Sequence, residues 1–195
     1  MTVILLARHG ETDWNSERRW QGHADQPLND VGREQARELG ESLAGRAIDV
    51  VYSSDLLRAY ETAHIVADRI GVPVEVDAGL REVDVGDWSG REHSEVEGID
   101  PEGFRRWREG GKGWNGGESY EEMGARVVDT VLRLAESHAG QTILIVSHGG
   151  SIRACRATAA GLSYAGSRVS PIGGMDNCEV AELHVADGRL TEAAG

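Results

Sequence analysis

Val3-Ile4-Leu5-Leu6-Ala7-Arg8-His9-Gly10-Glu11-Thr12 is the stretch from which the fold can be read. Its apolar half lacks the alternation of a sheet wetted on one side, which fits a strand covered on both faces. Its second half turns abruptly to small, charged and hydroxyl residues. The same change recurs downstream. Ile48 to Tyr52, interrupted by Asp49, leads into Ser53-Ser54-Asp55 and then Arg58, and Thr142 to Val146 leads into Ser147-His148-Gly149-Gly150. Helical stripes separate these runs. Ala36, Leu39 and Leu43 follow an N-cap at Asn29 or Asp30. Ala59, Ala63, Val66 and Ile70 end at Gly71, with Pro73 beyond. Met123, Val127, Val131 and Leu134 follow Ser119 and Glu122 at capping-box spacing. Cys178 to Val185 reads as a late strand at a sheet edge. Strands alternating with helices predict an α/β layered domain with a mainly parallel sheet. Residues 1–195 show no internal repeat and no domain boundary, so a single domain is expected. Residues 84–117 are rich in Gly, charge and Trp, and read as an excursion over one end of the sheet.

Composition narrows the class. With 195 residues, 39% hydrophobic and 27% charged, the chain suits one well-filled core. No stretch reaches the roughly 20 apolar residues of a membrane span. The Thr2 to Ala7 run is too short for a signal-peptide core and has no basic lead, so a cytoplasmic protein with no membrane partner is expected. A net charge of −13 argues against nucleic acid as a partner, because a phosphate backbone would be repelled over most of the surface. Cys155 and Cys178 read as buried free thiols. No zinc-type His spacing, no GxxxxGK[ST] loop and no GxSxG elbow is present.

In open α/β sheets the ligand crevice lies beyond the carboxyl ends of the strands. The three polar clusters should therefore meet, bringing together Arg8, Arg58, His9, His148 and nearby helix N-termini. Such a group favours a dianion such as phosphate. A neutral imidazole, oriented through its other nitrogen, can attack phosphorus directly. Glu82, in Leu80-Arg81-Glu82, precedes the excursion and is the candidate acid for the leaving oxygen. His64, His93, His138 and His184 have no motif support, and His23 is the one other histidine placed to approach the pocket mouth.

Arg8-His9-Gly10-Glu11-Thr12 resembles the RHGET signature of the histidine phosphatase superfamily, which includes cofactor-dependent phosphoglycerate mutases. The resemblance runs on through Asn15, Gln21-Gly22, Pro27-Leu28, Gly32, Gln35-Ala36, and Ser53-Ser54-Asp55-Leu56-Leu57-Arg58-Ala59. It continues in Glu61-Thr62-Ala63, Leu80-Arg81-Glu82, Gly117-Glu118-Ser119 and Val146-Ser147-His148-Gly149-Gly150. It implies a three-layer α/β/α sandwich of the phosphoglycerate mutase-like kind. It also implies that His9 becomes phosphohistidine and that Arg8, Arg58 and His148 hold the phosphoryl oxygens, with Asn15 as a further donor. Glu82 would protonate the leaving group and then activate water. Gln21 and Gly22 would line the pocket mouth, and Gly149 would offer a backbone N–H. No metal and no cofactor is called for, because Arg8, Arg58 and a protonated His148 can supply the positive charge.

After Glu82, the residues Val83-Asp84-Val85-Gly86-Asp87-Trp88-Ser89-Gly90 resemble the ExxxGxWxG pattern of the phosphatase branch rather than the basic, aromatic pattern of the mutases. Hydrolysis of a small-molecule phosphate ester is therefore the favoured reading. A bisphosphate-dependent phosphoglycerate mutase and a non-catalytic binder of phosphorylated ligands are the alternatives. Within the excursion, Arg105, Arg106, Arg108 and Lys112 interleave with Phe104, Trp107 and Trp114. That composition suits a substrate lid or, equally, a fixed aromatic cap. Ser163 to Asn177 reads as a loop returning toward the pocket. Exposed edges of such sheets often pair, so a homodimer is compatible with the pattern.

Overall fold

The computed structural model describes residues 1–164, 166 and 171–192. Strand β1 (Thr2–Arg8) is followed by the short helix α1 (Asp13–Ser16) and by α2 (Asp30–Leu43). Then come β2 (Val50–Ser53), α3 (Leu57–Ile70) and β3 (Val74–Val76). The excursion holds α4 (His93–Ile99) and α5 (Pro101–Arg108). The chain closes with α6 (Tyr120–Ser137), β4 (Thr142–Ser147), α7 (Gly149–Ala159), β5 (Val180–Ala186) and β6 (Arg189–Glu192).

The helix starts and stops follow local chemistry. Asn29 caps α2 by accepting from Gly32 N–H at 2.8 Å. Ser119 and Glu122 form the expected capping box on α6. Gly71 ends α3 at φ 75°, a left-handed conformation that glycine adopts without a Cβ penalty. The second strand begins at Val50 rather than Ile48, because Asp49 uses its carboxylate to accept Thr142 N–H at 2.7 Å.

One sheet of six strands has the order β3-β2-β4-β1-β5-β6. The pairs β1–β4, β2–β4 and β2–β3 are parallel, and β5 and β6 are antiparallel to their neighbours. The mainly parallel sheet is thus as expected, but β5 is not its edge. The polar Arg-Leu-Thr-Glu strand β6 lies outside it, and β3 covers the opposite side. Both edge strands are too short to carry a hydrophobic period.

Alternate strand residues feed two cores, which explains the unbroken apolar runs. Leu5, Ala7, Val51, Leu144 and Val146 pack on α2 and α3. Ile4, Leu6, Tyr52, Ile143 and Ile145 pack on α6, α7 and the excursion. The excursion itself is stitched together by indoles. Trp20 and Trp107 meet edge to face at 5.0 Å, and Trp88 and Trp114 do so at 5.5 Å. Their N–H groups donate to Asp100 (Trp88), Glu118 O (Trp114) and Tyr120 (Trp107). The excess of Trp over Phe is therefore a property of this second core. Among the described residues, no helix is long and apolar enough to cross a membrane.

Candidate active site

Pairing of Arg8 with Ser147, and of Ser53 with Val146, sets the ends of three parallel strands level. The turn after β1 is held tightly. A Cβ on Gly32 would overlap the Glu11 carbonyl oxygen, and one on Gly10 would overlap the Gly32 carbonyl, so both positions require glycine. Gly10 N–H donates to Thr62 Oγ1 at 3.0 Å, and Asn177 donates to the His9 carbonyl at 2.8 Å.

These restraints fix His9, which is 3% exposed. Its Nδ1 lies 2.7 Å from the Gly10 carbonyl oxygen. A carbonyl only accepts, so the proton sits on Nδ1 and the lone pair on Nε2. Arg58 Nε donates to that Nε2 at 3.3 Å. The rest of the Arg58 guanidinium donates to the carbonyls of Ala24 and Gly22 at 2.8 and 2.9 Å. Arg8 donates to Met175 O at 2.6 Å, while its Nε is buried without a partner among the described residues. His148 caps the start of α7, its ring centroid 5.2 Å from that of His9. Its Nε2 is 2.9 Å from Ser54 Oγ, and its buried Nδ1 has no partner among the described residues.

Burial dominates the electrostatics. It holds His9 well below the usual imidazole range, with Arg58 and Arg8 pushing the same way. His148 is lowered for the same reasons, burial first and then Arg58 and His9. Burial also brings Arg58 down to about 10 and lowers Arg8. Both rings are therefore neutral in the free site. The expected charge on His148 is not there, and the two arginines alone carry the positive charge.

Glu82 hangs over this floor from the segment that follows a 3-10 turn at Ala78–Leu80. Its carboxylate accepts from Gly150 N–H, at the α7 N-terminus, and from Val83 N–H, each at 2.9 Å. The backbone beneath is clamped. Arg126 reaches the carbonyls of Gly79, Arg81 and Glu82, and Ser147 and Ser151 hold those of Leu80 and Arg81.

The description "Histidine phosphatase superfamily (branch 1)" belongs to a family model that matches residues 4–194. The chain belongs to this superfamily. Curated relatives include the phosphoglycerate mutase-like protein 4 of Arabidopsis thaliana, 42% identical over 77% of this chain and 67% of that one. Another is the glucosyl-3-phosphoglycerate phosphatase of Mycolicibacterium vanbaalenii, 37% identical over 92% of this chain and 83% of that one. Among solved structures, a mycobacterial glucosyl-3-phosphoglycerate phosphatase in complex with VO3 superposes with a TM-score of 0.87 at 35% identity, covering 98% of this chain and 96% of that one.

This histidine phosphatase has a cavity of about 360 Å³ above the strand ends. Arg8, His9, Asn15, Gln21, Gly22, Glu82 and Gly149 line it. Arg58 and His148 do not; they sit one layer down, against the His9 ring. Asn15 turns its carbonyl oxygen to the Thr12 N–H and hydroxyl in a capping box. His23 stays behind the wall, within hydrogen-bond reach of the Glu82 carbonyl at 2.8 Å.

Sequence reasoning missed Arg18, Arg19, His93, Tyr120 and Arg153 on the cavity wall. Only Arg153 carried a usable signal, since it lies four residues beyond Gly149 on the same helix and so on the same face. The excursion cations do not line the cavity. Arg105 pairs with Glu109 at 3.0 Å, and Arg106 and Lys112 donate to the carbonyls of Gly113 and Gly117. Of the predicted returning loop, Tyr164 and Met175 reach the wall, and residues 165 and 167–170 lie outside the described residues. Cys155 is buried and Cys178 half-buried, and burial pushes both thiols up to about 12.

Proposed function

We propose that this histidine phosphatase is a phosphomonoesterase that hydrolyses small phosphate esters through a phosphohistidine on His9. The observation that carries this reading is the locked, neutral His9, whose Nδ1–H is committed to the Gly10 carbonyl and whose lone pair is on Nε2. In the first step Nε2 attacks phosphorus and the P–O bond to the alcohol breaks. Glu82, protonated, gives its proton to the departing oxygen. In the second step the Glu82 carboxylate takes a proton from water as that water attacks phosphorus. The N–P bond breaks, releasing inorganic phosphate and the neutral imidazole.

Arg8 stabilises the equatorial oxygens from the cavity wall and Arg58 lends its charge from one layer down, and the unpartnered His148 Nδ1 and Gly149 N–H add donors. Asn15, Gln21 and Gly22 shape the mouth on the alcohol side. A bound dianion would raise the affinity of His148 for a proton, so charge there comes with the ligand. Residues 84–117 cover the pocket of one catalytic domain, and a cytoplasmic setting suits the two free thiols.

The test is a phosphomonoester panel run with wild type and His9→Ala, trapping the acid-labile phosphoenzyme. Phosphate release from the wild type alone supports the reading. The relatives named for phosphoglycerate mutase keep a second outcome in view, return of the phosphoryl group to a bound phosphoglycerate. Bisphosphate-stimulated interconversion of 2- and 3-phosphoglycerate would replace hydrolysis by that reaction. Binding without either turnover would leave a phospho-ligand-binding protein.

A further inference from the structure

Thr62 and Asn177 do not line the cavity, yet both bond to the backbone of the turn that carries the nucleophile. Gly10 is the pivot of that turn. The close approach of the Gly32 carbonyl imposes glycine there, and a glycine leaves the adjoining peptides free to turn unless something holds them. All four polar atoms of those two peptides are held. The His9 carbonyl accepts from Asn177 Nδ2 at 2.8 Å, and Gly10 N–H donates to Thr62 Oγ1 at 3.0 Å. The Gly10 carbonyl faces His9 Nδ1 at 2.7 Å, and Glu11 N–H donates to Gln35 Oε1 at 2.9 Å. Each peptide is planar, so fixing the first unit and the Glu11 N–H also fixes the direction of the Gly10 carbonyl.

The two ties reach different elements. Thr62 has one hydroxyl proton, which goes to the Arg58 carbonyl at 2.7 Å, so a lone pair is left for Gly10 N–H. It thereby joins the turn to the start of α3, where Arg58 places its Nε 3.3 Å from His9 Nε2. Asn177 arrives from a bulge just before β5. Cys178 N–H donates to the Arg8 carbonyl at 3.0 Å, and Arg8 N–H donates to that of Glu179 at 3.1 Å. Two residues thus face one, and Cys178 takes φ 59°, a left-handed conformation uncommon outside glycine. Bulges beside active sites re-aim neighbouring side chains, and this one turns the Asn177 amide onto the His9 carbonyl.

We propose that Thr62 and Asn177 are positioning residues for phosphoryl transfer: they hold the His9–Gly10 peptide so that the Gly10 carbonyl keeps the proton on Nδ1 and Nε2 alone meets phosphorus. The partner of one ring nitrogen decides which nitrogen carries the lone pair. With the peptide released, the Gly10 carbonyl turns away and the proton is free to move to Nε2. The lone pair then on Nδ1 becomes a second site of attack. The inference rests on the phosphohistidine reading above and assigns two residues that act through His9 without touching the substrate.

The experiment traps the phosphoenzyme of wild type, Thr62→Val, Thr62→Ser and Asn177→Asp, and identifies the phosphohistidine isomer by phosphorus NMR. In parallel, nitrogen NMR of the labelled, ligand-free proteins reports which nitrogen of His9 carries the proton, with His9→Ala as the assignment control. Wild type should carry phosphate on Nε2 only and the proton on Nδ1. Thr62→Val keeps the shape and loses the hydroxyl. It should lower kcat by about 10²-fold with KM within about threefold, the signature of a misplaced reacting group, and give both isomers. Thr62→Ser keeps the hydroxyl and should return kcat to within about threefold of wild type. Asn177→Asp puts an acceptor against the His9 carbonyl and should lower kcat by about tenfold or more, with the same mixing of isomers. It also carries the test if Thr62→Val folds poorly, because Asn177 is only half-buried. Variants with the wild-type tautomer and phosphate on Nε2 alone overturn the inference, whatever their kcat or Tm, and so does a Thr62→Ser as slow as Thr62→Val. If wild type forms no phosphohistidine, the phosphatase reading fails, and the tautomer spectra still decide the positioning role.

Discussion

At the strand ends Arg58, His148 and His9 are 1%, 0% and 3% exposed; in the excursion Trp88, Trp107 and Trp114 are 1%, 4% and 2% exposed. The depth is alike and the energetics are opposite. Burying an indole is worth a few kcal/mol of apolar transfer. Burying two imidazoles together with the guanidinium groups of Arg58 and Arg8 is unfavourable unless their polar atoms are met. Most of those atoms are met, by the carbonyls of Gly10, Gly22, Ala24 and Met175 and by Ser54. Arg8 Nε and His148 Nδ1 are not. A folding core does not retain such groups for stability, and an anion-binding floor does. The cover supplies stability, and the floor spends some of it.

The largest test of that division is His9→Ala. Loss of the attacking nitrogen should lower kcat by about 10⁴-fold or more, and no phosphoenzyme should be trapped. Urea unfolding should barely change. A variant that kept even a tenth of wild-type turnover would remove His9 from the chemistry. Trp88→Ala should behave in reverse. It opens the indole cluster and breaks the bond to Asp100, at an expected loss of about 3–5 kcal/mol. At temperatures where it remains folded, phosphoryl transfer to His9 should survive, and single-turnover kinetics on the folded fraction would show it. Glu82→Gln falls between these. It should cost about 10²–10³-fold in kcat on alkyl phosphates and far less on p-nitrophenyl phosphate, whose leaving group needs no proton. Equal losses on both esters would make Glu82 a binding residue only.

What could be read from the sequence divides along the same line. The three parallel strands were legible because the two cores together hide both faces, leaving continuous apolar runs with polar residues only at the ends. The same abruptness marked Arg8, His9, Arg58 and His148. The edge strands β3 and β6 were not legible, being three and four residues long and largely exposed. Arg18 and Arg153 escaped notice because a lone arginine on a helix end or turn has no distinguishing neighbour in sequence. Arrival at the cavity depends on the path of the chain around it. The excursion cations misled for the converse reason: their composition suited a ligand, but the helix that bears them turns Trp107 inward and Arg105 outward. The neutral state of His148 was also unreadable, since it follows from burial against Arg58 and His9 rather than from the Ser-His-Gly-Gly motif.

That neutral pair gives the smallest effect and the most direct test of the floor. An unfolded histidine titrates near 6.5, and in the folded chain both His9 and His148 titrate well below it. Between those values the unfolded state takes up protons that the folded state refuses, so stability rises with pH there. The contribution is complete above about pH 6.5 and is lost as pH falls through it, by up to about 1.4 kcal/mol per pH unit for each ring. Urea midpoints measured between pH 7.5 and 5.5 should fall accordingly, in a window above the titration of ordinary carboxylates. Saturating inorganic phosphate should flatten the slope, because a bound dianion favours the protonated His148 that burial opposes. The excursion offers no such pair of neutral buried rings, so Trp88→Ala should lower the whole curve without changing its slope. A wild-type profile flat across that window would mean that the floor accepts charge without a ligand, and the contrast between floor and cover would then lose its electrostatic half.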